Sequence, residues 1–216
     1  MKYLVCGILA ACCAVSTAQA QSYSGPYVGV EGGWDNYEVG VEDGDLDYLL
    51  DIDGEASFDG LSGDGFGGGI FAGYHYGMEN TFIAVEGFLN YSDASISGSV
   101  TDEEFDYTAR AQVKAKESYG VAARVGVKVN NATAVYARGG WVQTRFDYSE
   151  SDNDGYSFSF DDTADAFQYG VGLETMIGPK MSLRAEYVMA DYGDAGLGEG
   201  IEVDSNAFKG GVALRF

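Results

Sequence analysis

Few residues in this chain could do chemistry. It has one histidine, His75, and three cysteines, Cys6, Cys12 and Cys13, all near the start. No Gly-x-Ser-x-Gly turn, no histidine pair at metal-ligand spacing and no phosphate-cradling glycine loop accompanies them. Nucleophilic, metal-assisted and phosphoryl-transfer catalysis therefore have no residue set to run on, so no enzyme and no cofactor are expected. Two acidic runs come nearest to a binding site. Asp43, Asp45 and Asp47, followed by Asp51, Asp53 and Glu55, offer the oxygen donors that calcium takes. Read as a calcium loop from Asp43, the pattern fails: Tyr48 stands where a glycine belongs and Gly54 where the closing glutamate belongs. Asp152 and Asp154 before Gly155 are equally fragmentary. A solvated, self-repelling loop is the favoured reading, and no metal is expected.

A second set of charges is spaced differently. Glu31, Glu86, Arg124, Lys128, Arg138, Glu174, Arg184, Glu186, Lys209 and Arg215 each alternate with apolar neighbours at a period of two. That period belongs to strands, which carry successive side chains on opposite faces. The clearest case places Tyr119, Val121, Ala123, Val125, Val127 and Val129 on one face, with Arg124 and Lys128 on the other. The same reading yields eight segments, at 26–35, 65–77, 81–92, 118–129, 132–145, 166–177, 181–192 and 205–216. Each is long enough for a tilted strand to cross a bilayer. Turn-forming residues at 78–80, 130–131 and 178–180 alternate with long links at 36–64, 93–117, 146–165 and 193–204. The link 93–117 itself alternates, with Ile96 and Val100 before its acids and Val113 and Ala115 after them. It reads as two strands continuing outward as a hairpin with open edges, able to take another chain by strand addition.

The charged face decides what kind of barrel this is. In a soluble barrel, the main alternative, the apolar set fills the interior and the charges meet water. In a membrane barrel the faces are inverted. Inversion is favoured because aromatics on the apolar face lie near strand ends (Trp34, Tyr76, Tyr91, Tyr119, Trp141, Phe208 and Phe216), as interfacial girdles do. Glycines crowd the other face, which suits a tight interior, and charges of both signs can pair there. Glu86 and Glu174 are expected to pair with Arg124, Arg138 or Arg184, since a buried unpaired charge is costly. An eight-strand interior is just wide enough to be filled by such side chains.

The start of the chain fits export. Lys2 precedes an apolar stretch too short to span a bilayer, and Ala18 and Ala20 frame a cleavage site. Residues 1–20 are thus read as a signal peptide and 21–216 as one barrel domain. A lipid-modified Cys12 is the competing processing route. Cleavage after Ala20 removes every cysteine, so no disulfide is expected. Thirty-four acidic against 12 basic residues give a net charge of −22, the wrong sign for nucleic acid. Most of those acids lie in the four long links. No later stretch approaches 18 consecutive apolar residues, which excludes helical membrane spans.

Several motifs carry a family resemblance. Gly25, Pro26, Tyr27, Val28, Gly29 and the run to Trp34 resemble the first strand of small outer-membrane barrels of the opacity-protein and OmpA/OmpX type. Val85, Glu86 and Gly87 resemble the third strand of that group, and Tyr136 to Gly140 the fifth. Phe208, Val212, Leu214 and Phe216 resemble the terminal signal read by the barrel-assembly machinery. The resemblance implies an all-β, closed, up-and-down antiparallel barrel of eight strands in the bacterial outer membrane, with short periplasmic turns and long extracellular loops. It implies outer-membrane lipid, lipopolysaccharide and the assembly machinery as partners, an extracellular protein partner through the loops, and a monomeric state. The expected role is that of a structural, surface-exposed protein acting in surface interaction or envelope integrity. The alternative is a narrow pore for ions or small solutes.

Overall fold

A strand with two unlike faces must pair along its edges or leave its amides and carbonyls bare. The computed structural model describes residues 24–41, 62–102, 107–153, 157–193 and 201–216. They form β1 (Gly25–Val41), β2 (Ser62–Gly77), β3 (Thr81–Ser92), β4 (Ser95–Asp102), β5 (Tyr107–Lys128), β6 (Thr133–Asp152), β7 (Ser157–Met176), β8 (Met181–Asp191) and β9 (Ile201–Arg215). All pairings are antiparallel. Because β1 pairs with both β2 and β9, the sheet closes into a cylinder of eight strands, with β4 as an extra piece. This is the closed antiparallel barrel expected from the alternation. The proposed leader at 1–20 and the acidic runs within 43–55 lie outside the described residues.

The short turns are built as their compositions require. Met78 N donates to Thr81 O at 2.9 Å, and Ile177 N to Met181 O at 3.0 Å. Between β5 and β6 the Asn130 side chain accepts from the amides of Ala132 and Thr133, both at 2.8 Å. This side-chain cap lets two asparagines reverse the chain.

The faces are inverted relative to a soluble barrel. Val30, Ile70, Val85, Leu89, Val125 and Val171 stand on the outside, more than half exposed, while Glu86, Arg124 and Glu186 are buried within. An apolar skin of this extent is stable only against lipid.

The strands run further outward than the alternation alone suggests. The link 146–165 is not a free loop: it is paired strand from Phe146 opposite Asp162 to Ser151 opposite Ser157. β4 resumes the path of β3 after a break at Asp93 and Ala94 and pairs with β5. The expected hairpin at 93–117 is thereby the margin of a four-stranded sheet, β4–β5–β6–β7, rising past the rim. Its β5 edge is covered by β6, so among the described residues the open edges belong to β4 and β7.

A bulge sets the face of that extension. Ala115 opposes Phe146 and Ser118 opposes Thr144, so Lys116 and Glu117 together face Arg145. The extra residue reverses the parity of β5. Below it Tyr119, Val121 and Val125 point outward; above it Ala115 turns inward and is buried.

Candidate functional site

Inside the wall, parity and closure bring charges from seven strands together. Glu86 on β3 is the centre. Its carboxylate lies 2.9 Å from Arg184, 3.2 Å from Arg138 and 3.5 Å from Arg124, and accepts a hydrogen bond from the Tyr27 hydroxyl at 2.9 Å. Arg184 also bonds Glu31, and Arg138 bonds Glu186 at 2.8 Å. Towards the short-turn end, Arg124 reaches Glu174 at 3.1 Å. Glu174 is further held by Arg215 and by the Ser182 hydroxyl at 2.6 Å. Four carboxylates and four guanidiniums thus form one electroneutral cluster across the lumen, every member buried. Ions removed from water need this convergence, because each pair must offset the desolvation of both partners.

Two of the charges read from the sequence stand apart. Lys209 approaches Glu31 only to 3.7 Å. Lys128, the last residue of β5, donates instead to the carbonyls of Met78 and Glu79 at 2.9 and 3.1 Å, tying down the neighbouring turn. His75 is buried and stacked on Phe82, with ring centroids 4.6 Å apart. Both rings border a cavity of about 50 Å³ at the short-turn end, a volume on the scale of one water.

Sequence reasoning missed the rings that frame the arginines. Arg124 lies over Tyr27 and Tyr136, at 5.2 and 5.0 Å from their centroids, Arg138 over Phe88 at 5.0 Å, and Arg184 over Phe71 at 3.4 Å. Such contacts add cation–π attraction where water is excluded. Each ring lies beside a glycine directly across the ladder. Phe71 opposes Gly29 and Tyr27 opposes Gly73; Phe82 opposes Gly126 and Phe88 opposes Gly120; Tyr136 opposes Gly172. A Cβ added at any of these glycines would fall well inside contact distance of the ring. These five inward glycines therefore make room for aromatic rings. The signal was present as aromatic residues at inward parity, but the pairing emerges only once register is fixed.

Nearer the long-link end, Tyr37, Phe146 and Tyr192 close the lumen with edge-to-face contacts of 5.9 Å (Tyr37–Phe146) and 5.5 Å (Phe146–Tyr192). Thr144 and Tyr192 share a hydrogen bond of 2.8 Å. Above this plug, Ile96, Val113, Tyr148 and Phe160 fall in one row across the extension. Tyr148 and Phe160 stack at 4.7 Å and 13°, and burial, then the nearby Asp162 carboxylate, pushes the Tyr148 phenol up from its ordinary value. On the outside of the wall the terminal Phe208, Val212, Leu214 and Phe216 share one face of β9 and its end. The Phe216 amide donates to Pro26 O at 3.1 Å, at the seam with β1.

A closed antiparallel cylinder, apolar outside, aromatic-ringed at its edges and ion-paired within, defines a transmembrane β-barrel of the bacterial outer membrane. The chain belongs to the family described as outer membrane protein beta-barrel domain, whose model matches residues 6–216. It is similar to the 31 kDa outer-membrane immunogenic proteins of Brucella melitensis and Brucella suis. Each is 25% identical over 189 residues, covering 86% of this chain and 76% of the relative. Among solved structures, that of Neisserial surface protein A superposes with a TM-score of 0.53 at 17% identity, covering 89% of this chain and 98% of that one. The short turns accordingly face the periplasm and the extension faces the cell exterior.

Proposed function

We propose that this protein is a non-conducting barrel that anchors an outward-facing sheet for surface interaction, with no chemistry of its own. The observation that carries the reading is the pairing of a filled lumen with strands prolonged past the membrane. The charge cluster around Glu86 and the Tyr37–Phe146–Tyr192 plug occupy the space a pore would need. The β4–β7 extension continues the wall through the unbroken β6–β7 ladder and presents open strand edges, which are templates for strand addition. The acidic composition of the long links favours partners carrying positive charge. Phe208, Val212, Leu214 and Phe216 serve as the strand read at insertion by the assembly machinery. Planar-bilayer recording of the refolded chain tests the reading against the narrow pore. Silence is expected; reproducible single-channel steps from purified protein would replace it with the pore.

A further inference from the structure

Two buried layers cross the lumen, the ion-paired cluster below and the aromatic plug above, and a layer of different character separates them. Parity and register place its members. On β1, Gly33 and Asp35 separate Glu31 from Tyr37, and across the ladder from them β9 carries Lys209 and Ala207. On β8, Val188 and Ala190 separate Glu186 from Tyr192, and on β6 Gly140 and Val142 lie above Arg138. Gln168 of β7 stands opposite Gly140. On β3, Asn90 is two inward steps above Glu86 and opposes Ser118 of β5. Gly33, Gly140, Ala190 and Ala207 carry little or no side chain, so this layer keeps room that arginines and rings take up elsewhere.

The polar side chains of this layer differ from those on either side. Glu86, Arg138 and Glu186 below and Tyr37, Phe146 and Tyr192 above are buried. Asp35, Asn90, Ser118 and Lys209 are only half-buried, although they face inward. Their bonding capacity is not spent on one another. Among the described residues Lys209 makes one ion pair, with Glu31 at 3.7 Å, a carboxylate already held by Arg184. Asp35 makes none among them. Gln168 is 3% exposed, yet its amide nitrogen has no hydrogen-bond partner among the described residues, and neither has the Asn90 side-chain oxygen. An unmade bond in a dry site is costly, so these groups mark a place where a ligand supplies the partner.

We infer that this layer is a blind pocket for one small zwitterion of the amino-acid type, closed towards the periplasm by the ion-paired cluster and reached from outside past the plug. The Lys209 ammonium and the Gln168 amide donate to its carboxylate. The Asp35 carboxylate and the Asn90 carbonyl oxygen accept from its ammonium. An eight-strand barrel has room for a single small ligand. Charge-assisted bonds of both signs select a molecule that carries both charges over one that carries either. The pocket is independent of what the outer sheet binds. It does require a closed lumen, which the planar-bilayer recording reads separately.

The test is equilibrium dialysis of radiolabelled glycine against the full chain refolded into phosphatidylcholine nanodiscs, with empty nanodiscs as the blank. Saturable uptake of a single glycine per barrel is expected. Acetate and methylammonium, which each carry only one of the two charges, should compete at least roughly tenfold less well than unlabelled glycine. Lys209→Met and Asp35→Asn should each weaken uptake by at least roughly tenfold, while Lys180→Gln at the periplasmic turn changes nothing. Should the charge variants fail to refold, Gln168→Leu, whose amide nitrogen has no partner to lose among the described residues, should still weaken it by about tenfold. Absence of saturable uptake at millimolar glycine would leave ordered water as the occupant and overturns the pocket, as does unchanged uptake by the variants. Equal competition by acetate or methylammonium overturns the assignment to a zwitterion.

Discussion

Glu86→Gln removes the one carboxylate on which three guanidiniums converge, and its cost measures how dry the barrel interior is. Arg138, Arg184 and Arg124 lie 3.2, 2.9 and 3.5 Å from Glu86, and the side chains of all four are 2% exposed or less. Breaking a buried ion pair from one side costs about 3–5 kcal/mol, mostly because a charge is left without its partner. The lower end applies here, since the amide oxygen still accepts from Arg184 or Tyr27 and each arginine keeps another carboxylate. The substitution leaves the cluster with one excess positive charge. Removing a nearby cation as well, in E86Q/R138Q, restores neutrality and should recover part of the loss, because neighbours in one network are not additive. Urea unfolding of the barrel from phosphatidylcholine vesicles, followed by tryptophan emission and by the boiling-dependent shift on SDS gels, measures both variants against the unsubstituted chain. Exposed Glu79→Gln, in the periplasmic turn, is the reference. If Glu86→Gln costs no more than that reference, the lumen is hydrated and screens its charges. The double variant would then gain nothing, and the case for a plugged barrel would fail with it.

Two further expectations follow from the walls. Gly29→Ala sets a methyl group against the Phe71 ring; it should destabilise the barrel by about 1–3 kcal/mol and be partly rescued by Phe71→Leu. Gly178→Ala, whose Cβ meets nothing within 4 Å, should leave the same unfolding curve in place. On the opposite face Val85, 61% exposed, should tolerate leucine but lose about 2–4 kcal/mol as arginine if it faces the middle of the bilayer. A neutral Val85→Arg in vesicle unfolding would contradict the assigned faces.

The barrel was legible because lipid enforces a strict code. Where one face meets hydrocarbon and the other a crowded interior, every second residue is constrained. Val121, Ala123 and Val125 against Ala122 and Arg124 cannot be read another way. Past the membrane that constraint relaxes. Ser157, Phe158, Ser159 and Phe160 still alternate, but the surrounding aspartates read as a loop, and only the ladder to β6 reveals a strand. The bulge was nearly illegible for a sharper reason. The apolar residues from Val113 to Val121 all keep odd numbers, and only Glu117, a charge standing in that odd series, marks the place where odd changes from inside to outside. Which arginine meets which glutamate, and which ring covers which glycine, depends on stagger between strands distant in sequence. Arg184 and Glu31 are 153 residues apart.

The unbroken ladder between β6 and β7 has a mechanical consequence. It runs from Thr133 opposite Thr175 to Ser151 opposite Ser157 without a shift in register, so the sheet outside the cell and the wall within the membrane are one continuous piece. Interstrand hydrogen bonds lie perpendicular to the strands. A pull along the extension, as from a bound surface under flow, therefore loads many of them at once in shear instead of peeling them one by one. The membrane segment acts as the grip and the extension as the lever. Traction at the tip would be borne by the whole barrel before any single strand could be drawn out.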